Sequence, residues 1–315
     1  MALPLAGGPL GFTSVAEHRR AGAPRLLSIV ELDPAALAAL TAPRPPWAGL
    51  DFTRPRIMGV VNATPDSFSD GGRYHDPRAA IEHGLALAAA GADIVDVGGE
   101  STRPGAPPVD EAEERRRVVP VVKALAEAGL LVSIDSRHAG VMAAAIDAGA
   151  RILNDIAALE GPGCLDVAAR SGLPIVLMHM RGEPRTMQQA ARYDHVLLEV
   201  ADYLAARLAA CGRAGIPAAR VALDPGLGFA KTAEHNLVIL NHLGLLHGLG
   251  CPLLVGASRK GFIGRLSGGA PAHRRLGGSL AAALAGLARG AQLVRVHDVA
   301  ETAQALAVWQ AIAAR

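Results

Sequence analysis

The sequence is poor in aromatic residues and in cysteine. Phe, Trp and Tyr together make up 3% of the 315 residues, so the core has to be built from aliphatic side chains. Cys164, Cys211 and Cys251 are far apart and form no Cys-x-x-Cys pair, which argues against a disulfide framework or a cysteine zinc site. We interpret them as small core residues in a protein of the reducing cytoplasm.

Long uncharged apolar runs and a strong excess of one charge are also missing. No stretch of 18 apolar residues lacks a charge, so no membrane span is expected. The opening residues have no basic region, and a signal peptide is not expected. The formal net charge is +2, which predicts no general nucleic-acid binding, although a local basic cluster would still suit an anionic small molecule.

Several well-known active-site patterns are absent from the sequence. There is no HExxH motif and no convincing Ser-His-Asp arrangement. The segment GLGFAKT (226–232) superficially suggests a nucleotide loop, but Pro225 and Ala230 stand where the Walker pattern requires glycine, and Lys231 stands where GxGxxG requires one. Nucleotide binding by this segment is therefore excluded.

From residue 57 onward, short apolar runs alternate with Ala/Leu-rich segments that have helical spacing. The eight predicted strands are 56–62, 92–98, 130–135, 151–156, 174–180, 220–224, 251–258 and 292–298. Apolar strands that alternate with helices indicate a parallel sheet covered on both faces. The predicted fold class is α/β, a (β/α)8 TIM barrel over residues 51–315, with an open doubly wound sheet as the alternative.

Residues 1–50 form a separate N-terminal extension of uncertain structure. This part is rich in Ala, Pro and Arg, and residues 43–56 are predicted to be an extended connector. The extension would add a strand, a small cap or a loose segment, and no chemistry is assigned to it.

Every predicted strand ends in polar or charged residues. These are Asn62, the segment 98–105, Asp135, Asn154 with Asp155, His179, Asp224, the segment 258–260, and Arg295 with His297 and Asp298. A single Asp after a strand is often only a helix N-cap, which is the alternative for Asp155 and Asp298, and His179 would also suit a satisfied core position. Eight such ends together favour an active site, because the carboxyl ends of barrel strands converge on one rim.

The polar set has a chemical character. Asp135, Asp224 and Asn154 would recognise the donor and acceptor edge of a planar heterocycle. Cationic donors suited to phosphate are Arg103, Arg259, Lys260, Arg295 and His297. Asn62 with the loop acids Asp66 and Asp70 suits a hard cation such as Mg²⁺. The residues thus predict an enzyme for a phosphorylated or diphosphorylated heterocycle.

Over residues 56–300 the motifs closely resemble those of the dihydropteroate synthase family. They are IMGVVNATPDSFSDGG, GADIVDVGGESTRPGA, LNDI, LMHMRGEPRTMQ, LDPGLGF, SRKGFIG and RVHDV, in this order. The resemblance implies a homodimeric barrel enzyme with two small-molecule substrates, 6-hydroxymethyl-7,8-dihydropterin diphosphate and p-aminobenzoate. It implies an SN1-like condensation that gives 7,8-dihydropteroate and pyrophosphate, with Mg²⁺ as cofactor.

The resemblance also implies roles for particular residues. The pterin site would consist of Asp135, Asn154, Asp224 and Lys260. The diphosphate site would consist of Asn62, Thr102, Arg103, Arg295 and His297, with Asn62 also near the metal. The p-aminobenzoate site would consist of Phe68, Pro104, Phe229 and Ser258. The catalytic residues would be Asp66, Asp70, Arg103 and Lys260, with Asp70 stabilising the cation or ordering the lid.

The sequence departs from the family pattern at small residues. Ala63 stands where Val is usual, Ala157 and Ala158 replace a small polar or Gly pair, and Ala230 replaces a glycine. We expect these changes to tune pocket shape and loop mobility and to leave the chemistry in place. The alternatives are a non-catalytic pterin-binding homologue and a methyltetrahydrofolate-dependent methyltransferase, which would not need the diphosphate ligands.

Overall fold

The computed structural model describes residues 2–64, 77–101 and 105–313. Eight parallel strands form its central sheet, in the spatial order β10-β9-β8-β7-β6-β5-β12-β11. The strands are β5 Arg56–Asn62, β6 Ile94–Gly98, β7 Val132–Asp135, β8 Ile152–Asp155, β9 Ile175–Met178, β10 Val221–Asp224, β11 Leu254–Val255 and β12 Leu293–Val296. All eight predicted strands are confirmed, β5 with the predicted bounds and the other seven with shorter ones.

The sheet closes on itself between its two outer strands. Leu223 of β10 forms a parallel bridge with Leu253, directly before β11, and its N–H donates to the Pro252 carbonyl at 2.9 Å. The predicted TIM barrel is thereby confirmed, and the open doubly wound sheet is wrong. Closure brings all strand carboxyl ends to one rim.

Helices surround the barrel and bury its outer face. Those of the barrel are α2 Pro77–Ala89, α3 Glu111–Glu127, α4 Ala139–Asp147, α5 Cys164–Ser171, α6 Val196–Arg213, α7 Ala233–Asn241, α8 Gly261–Leu266, α9 Leu276–Leu287 and α10 Val299–Ala313. Their apolar sides join the outward-facing strand residues in one large core. Cys164, Cys211 and Cys251 are buried and unbridged, as expected. None of the described helices is long and apolar enough to cross a membrane.

The amino end of the barrel is filled by a separate apolar cluster. It contains Met58, Ile94, Ile152, Val176, Ala222, Leu254, Leu293 and Trp47. The Trp47 side chain is 1% exposed, and its indole Nε1 donates to the Arg220 carbonyl at 2.9 Å. The segment predicted as an extended connector therefore contains a turn, with Trp47 paired to Leu50, because the indole has to enter the barrel.

The N-terminal extension is ordered and packs against the barrel. It contains two short antiparallel hairpins, β1 Leu3–Pro4 with β2 Gly11–Phe12 and β3 Ser14–Glu17 with β4 Arg25–Ser28, followed by α1 Pro34–Thr41. Asp33 caps α1 by accepting from the Ala35 and Ala36 N–H groups. The extension thus provides a small cap, one of the three possibilities named above. The domain boundary at residue 50 stays a prediction.

Candidate active site

The carboxyl ends of the strands surround one polar cavity. It is lined by eight of the predicted site residues, Asp135, Asn154, Asp224, Phe229, Ser258, Lys260, Arg295 and His297, together with apolar residues such as Ile156 and Met178. Asn62 lies half-buried on the same rim, at the end of β5. The other predicted site residues, Asp66, Phe68, Asp70, Thr102, Arg103 and Pro104, lie outside the described residues.

A shared arginine forms the charged centre of the cavity. Arg295 on β12 donates from Nε to Asp96 and from Nη2 to Asp135, each at 2.6 Å. Burial raises the pKa of Asp135 to about 7, while Arg295 opposes this shift and the neighbouring Asp96 adds to it. Arg295 is a predicted diphosphate ligand, and it also orients Asp135, the carboxylate predicted to bind the ring.

Asp96 is a site residue that the sequence reading missed. It lies within the apolar strand β6, its side chain is fully buried, and its Oδ2 also accepts from the Asn154 amide at 3.0 Å. Its Oδ1 has no hydrogen-bond partner among the described residues. A carboxylate in the middle of a buried strand is the signal that would have revealed it, since unpaired buried charge is strongly unfavourable.

Asn154 and Asp224 present polar groups to the cavity from opposite sides of β9. The Asn154 side-chain nitrogen donates to Asp96, so the side-chain oxygen Oδ1 is the atom that can accept from a ligand. Asp224 accepts the Gly226 N–H with Oδ1 at 2.7 Å, and burial raises its pKa. Two carboxylates and an amide can satisfy a heterocycle that has several N–H groups on one edge.

Lys260 covers one side of the same cavity. Its Nζ lies 4.0 Å from the centre of the Phe229 ring, a cation–π contact, and burial lowers the pKa of its amine to about 8. Asp224 and Asp135 partly oppose this shift. The lysine can thus contact a ring bound to the carboxylates while its ammonium group lies on the face of Phe229.

A buried lysine holds the turn that carries Phe229. Lys231 is 3% exposed and donates from Nζ to the carbonyls of Gly226 at 2.9 Å and Phe229 at 3.0 Å, and it contacts His179 Nδ1 at 2.8 Å. Gly226 has a φ of +68°, and a Cβ there would lie 1.9 Å from the His179 carbonyl oxygen. Only glycine fits this turn. The sequence pattern alone predicts no structural role for Lys231.

His297 and Ser258 form a pair at the cavity wall. Ser258 Oγ lies 3.0 Å from His297 Nδ1, and burial lowers the pKa of His297 to about 3, helped by Arg295. The shift favours a neutral imidazole in the free protein, and a role for His297 as a cationic phosphate ligand stays a prediction. Arg259 does not line the cavity, because its Nε donates to Asp298 at 3.0 Å.

Three polar residues at strand ends have structural roles, and of these only His179 has the role considered as its alternative, since α5 is capped by Gly163 and the Asp298 side chain binds Arg259. Asp155 accepts the N–H groups of Ala157 and Leu159 at 2.7 and 2.8 Å and closes a turn. His179 is a satisfied core histidine with an edge contact to Tyr203. Asp298 pairs with Arg259 at the start of α10. These residues support the rim without facing the cavity.

Arg137 connects two loops of the rim and was not singled out from sequence. It binds both carboxylate oxygens of Glu100, at 3.0 and 3.1 Å, and also pairs with Glu183. Glu100 follows β6 and Glu183 follows β9. The bidentate geometry makes this pair a firm attachment for the segment after β6, which continues into the GESTRPG motif.

The described residues contain no group of three His, Cys, Asp or Glu side chains placed to hold a metal ion. The donor that fits the expected Mg²⁺ is the Asn62 side-chain oxygen at the end of β5. Mg²⁺ commonly takes one or two protein oxygens and completes its shell with water and substrate phosphates, so Asn62 is compatible with such a site.

Comparisons with known proteins agree with this geometry. The model of a family described as pterin binding enzyme matches residues 58–297. The dihydropteroate synthase of Escherichia coli strain K12 is 47% identical over 263 residues, which cover 83% of this chain and 93% of that protein.

Solved structures give the same result at the level of the fold. The Xanthomonas albilineans dihydropteroate synthase with 4-aminobenzoic acid has a TM-score of 0.80 and 49% identity, covering 85% of this chain and 97% of that one. The structure of that enzyme in complex with 7,8-dihydropteroate has a TM-score of 0.77 and 47% identity, covering 84% and 96%.

Proposed function

The chain belongs to the dihydropteroate synthase family of pterin-binding enzymes and has the transferase activity of that family, and we propose how its own residues carry out the condensation. The substrates would be 6-hydroxymethyl-7,8-dihydropterin diphosphate and p-aminobenzoate. The observation that carries the proposal is a cavity in which two carboxylates and an amide face a lysine and an arginine at the barrel rim.

The pterin ring would bind deepest in the cavity. Asp224 and Asp135 accept its N–H groups, and the Asn154 carbonyl completes the polar edge. Lys260, held over Phe229, donates to ring acceptors. Each of these groups is positioned by a contact already present in the free protein, so little ordering entropy is lost on binding.

The diphosphate would extend from the ring toward β5 and β12. Arg295 uses the donors that its two carboxylate partners leave free, and His297 donates as a neutral imidazole. Asn62 lies on the same rim, and Thr102 and Arg103 stay predicted ligands. Mg²⁺, held by Asn62 and substrate oxygens, would supply charge neutralisation for the leaving group.

We propose an SN1-like reaction at the exocyclic CH₂ carbon. The carbon–oxygen bond breaks, its electron pair leaves with pyrophosphate, and the electron-rich dihydropterin delocalises the resulting cation. Arg295 stabilises the negative charge that develops on the departing group, because it is already oriented by Asp96 and Asp135. The p-aminobenzoate nitrogen then attacks the carbon and loses a proton.

The p-aminobenzoate would bind beside Phe229 and Ser258, which line the cavity. Phe68 and Pro104 stay predicted members of this subsite, and Asp66 and Asp70 stay predicted lid acids. Exclusion of water matters here because water competes for the same cation. A homodimer and a cytoplasmic location also stay predictions.

The test is pyrophosphate release by the purified full chain, with each of the three components omitted in turn. We expect release to require the dihydropterin diphosphate, Mg²⁺ and p-aminobenzoate together. Release without p-aminobenzoate would indicate hydrolysis, and tight binding of the diphosphate without turnover would indicate the non-catalytic homologue. An Arg259→Met variant is the matched control, since Arg259 pairs with Asp298 outside the cavity.

A further inference from the structure

A second cavity lies at the opposite end of the barrel, between the N-terminal extension and the amino ends of β5 and β12. Its volume is about 490 Å³, within the range of small-molecule sites. Its lining residues include Leu5, Pro43, Arg44, Phe52, Leu287 and Trp309. Most of this wall is apolar, which suits the flat body of an aromatic or aliphatic ligand.

One charged group in this wall lacks a counter-ion. Arg44 is only 8% exposed, and its guanidinium donates to the main-chain carbonyls of Ala39, Ala42 and His247. Its Nε has no hydrogen-bond partner, and no ion pair involves Arg44 among the described residues. A buried cation without a carboxylate is costly, so an anion beside it would be strongly favoured.

The neighbouring groups do not supply that anion. Burial and Arg44 lower the pKa of His247 to about 4, so its imidazole is neutral. Asp51 also lines the cavity, but its carboxylate accepts from Arg56 and Thr53. Arg54, the other lining arginine, is paired with Asp93. Arg44 is therefore the cation of this wall that has no acidic partner among the described residues.

We propose that this cavity binds a small aromatic carboxylate, with its ring against Trp309 and the apolar wall and its carboxylate on Arg44. The carbonyl contacts use one Nη1 and both Nη2 hydrogens of Arg44, so the carboxylate would accept from the second Nη1 hydrogen. The cavity adjoins Pro55 and Gln292, directly before β5 and β12, whereas the candidate active site lies at the other ends of these strands. The two sites would therefore be filled independently.

The experiment is calorimetric titration of the full chain with naphthalene-2-carboxylate and with its neutral amide. We expect the carboxylate to bind at least tenfold more tightly than the amide. Arg44→Met should weaken carboxylate binding at least tenfold, and Arg54→Met, the matched control, should leave it within about twofold.

Two further variants test ligand binding in this cavity independently of Arg44→Met. Gln310→Trp fills part of the cavity while retaining Arg44, and it should also weaken binding even if Arg44→Met folds poorly. Arg295→Met, at the other end of the barrel, should leave binding unchanged. No binding to the wild-type chain, equal binding of carboxylate and amide, or loss of binding only in Arg295→Met would overturn the proposal.

Discussion

The two ends of the barrel treat buried arginine differently. At the carboxyl end, Arg295 lies between two carboxylates, whereas at the amino end the partners of Arg44 among the described residues are main-chain carbonyls and a neutral histidine. The carboxyl end concentrates charge around a cavity, and the amino end is sealed by Trp47 and an apolar cluster. The same strands thus position the active-site residues at their carboxyl ends and stabilise the fold through the apolar cluster at their amino ends.

The largest effect should come from removing the seal at the amino end. Trp47→Ala deletes a side chain that is 1% exposed and the hydrogen bond to Arg220. We expect a loss of about 3–5 kcal/mol in the free energy of unfolding, as for other large-to-small core changes. Urea denaturation measures it, and kcat at a temperature where the variant is folded should change little. A large fall in kcat there would contradict the division between the two ends.

Removing the arginine of the carboxyl end should lower both the reaction rate and the stability, because Asp96 and Asp135 lose their buried counter-ion. Arg295→Met takes away transition-state stabilisation, and we expect pyrophosphate release to fall about 10²- to 10³-fold. Single-turnover assays measure the rate, and urea denaturation shows whether the fold persists. Wild-type release by a folded Arg295→Met variant would show that the diphosphate assignment is wrong.

The pH dependence should report the charged groups of the carboxyl end. Asp135, with its pKa raised to about 7, becomes protonated below that pH and no longer accepts ring N–H groups. Lys260, with its pKa lowered to about 8, loses its charge above that pH. We expect kcat/KM to peak between about 7 and 8 and to fall up to tenfold per pH unit on either side.

Two variants assign the limbs of that profile. Asp135→Asn should remove the acidic limb at a reduced rate, and Lys260→Arg should move the alkaline limb upward, since arginine stays charged. An unchanged acidic limb in Asp135→Asn would assign it to the substrate diphosphate instead.

The smallest effect concerns Ala230, predicted to replace a family glycine, and Ala158, predicted with Ala157 to replace a small polar or Gly pair. Ala230 and Ala158 have φ angles of +48° and +50°, a left-handed region that costs a residue with a Cβ about 1–2 kcal/mol. We expect Ala230→Gly to raise stability by up to about 1 kcal/mol, the gain being reduced by the greater entropy of glycine in the unfolded chain. Thermal unfolding measures it, with Ala233→Gly at the start of α7 as a control that should destabilise. A loss of stability in Ala230→Gly would mean that its methyl group packs favourably.

Much of the fold could be predicted because its signals are local. Each strand is a short apolar run, and a polar residue marks its end. Asp135, Asn154 and Asp224 were found in this way, since parallel strands place equivalent ends on one rim. The turns were less visible: the sequence indicated that Ala230 departs from a glycine pattern, but only the backbone shows its left-handed conformation.

By itself, the sequence determined the order of strands and helices, the polar rim and the family motifs, because these depend on neighbouring residues and on repeat spacing. Only the tertiary structure decided the partners. Asp96 and Arg295 are 199 positions apart and meet because β5 pairs with both of their strands, β6 and β12. Trp47 lies outside the repeating strand–helix units and closes the amino end of the barrel. Arg44 contacts His247, 203 positions away, and no carboxylate pairs with it in the part of the chain that the structure describes. Such contacts follow from strand pairing and from packing between distant segments, which a local sequence pattern does not predict.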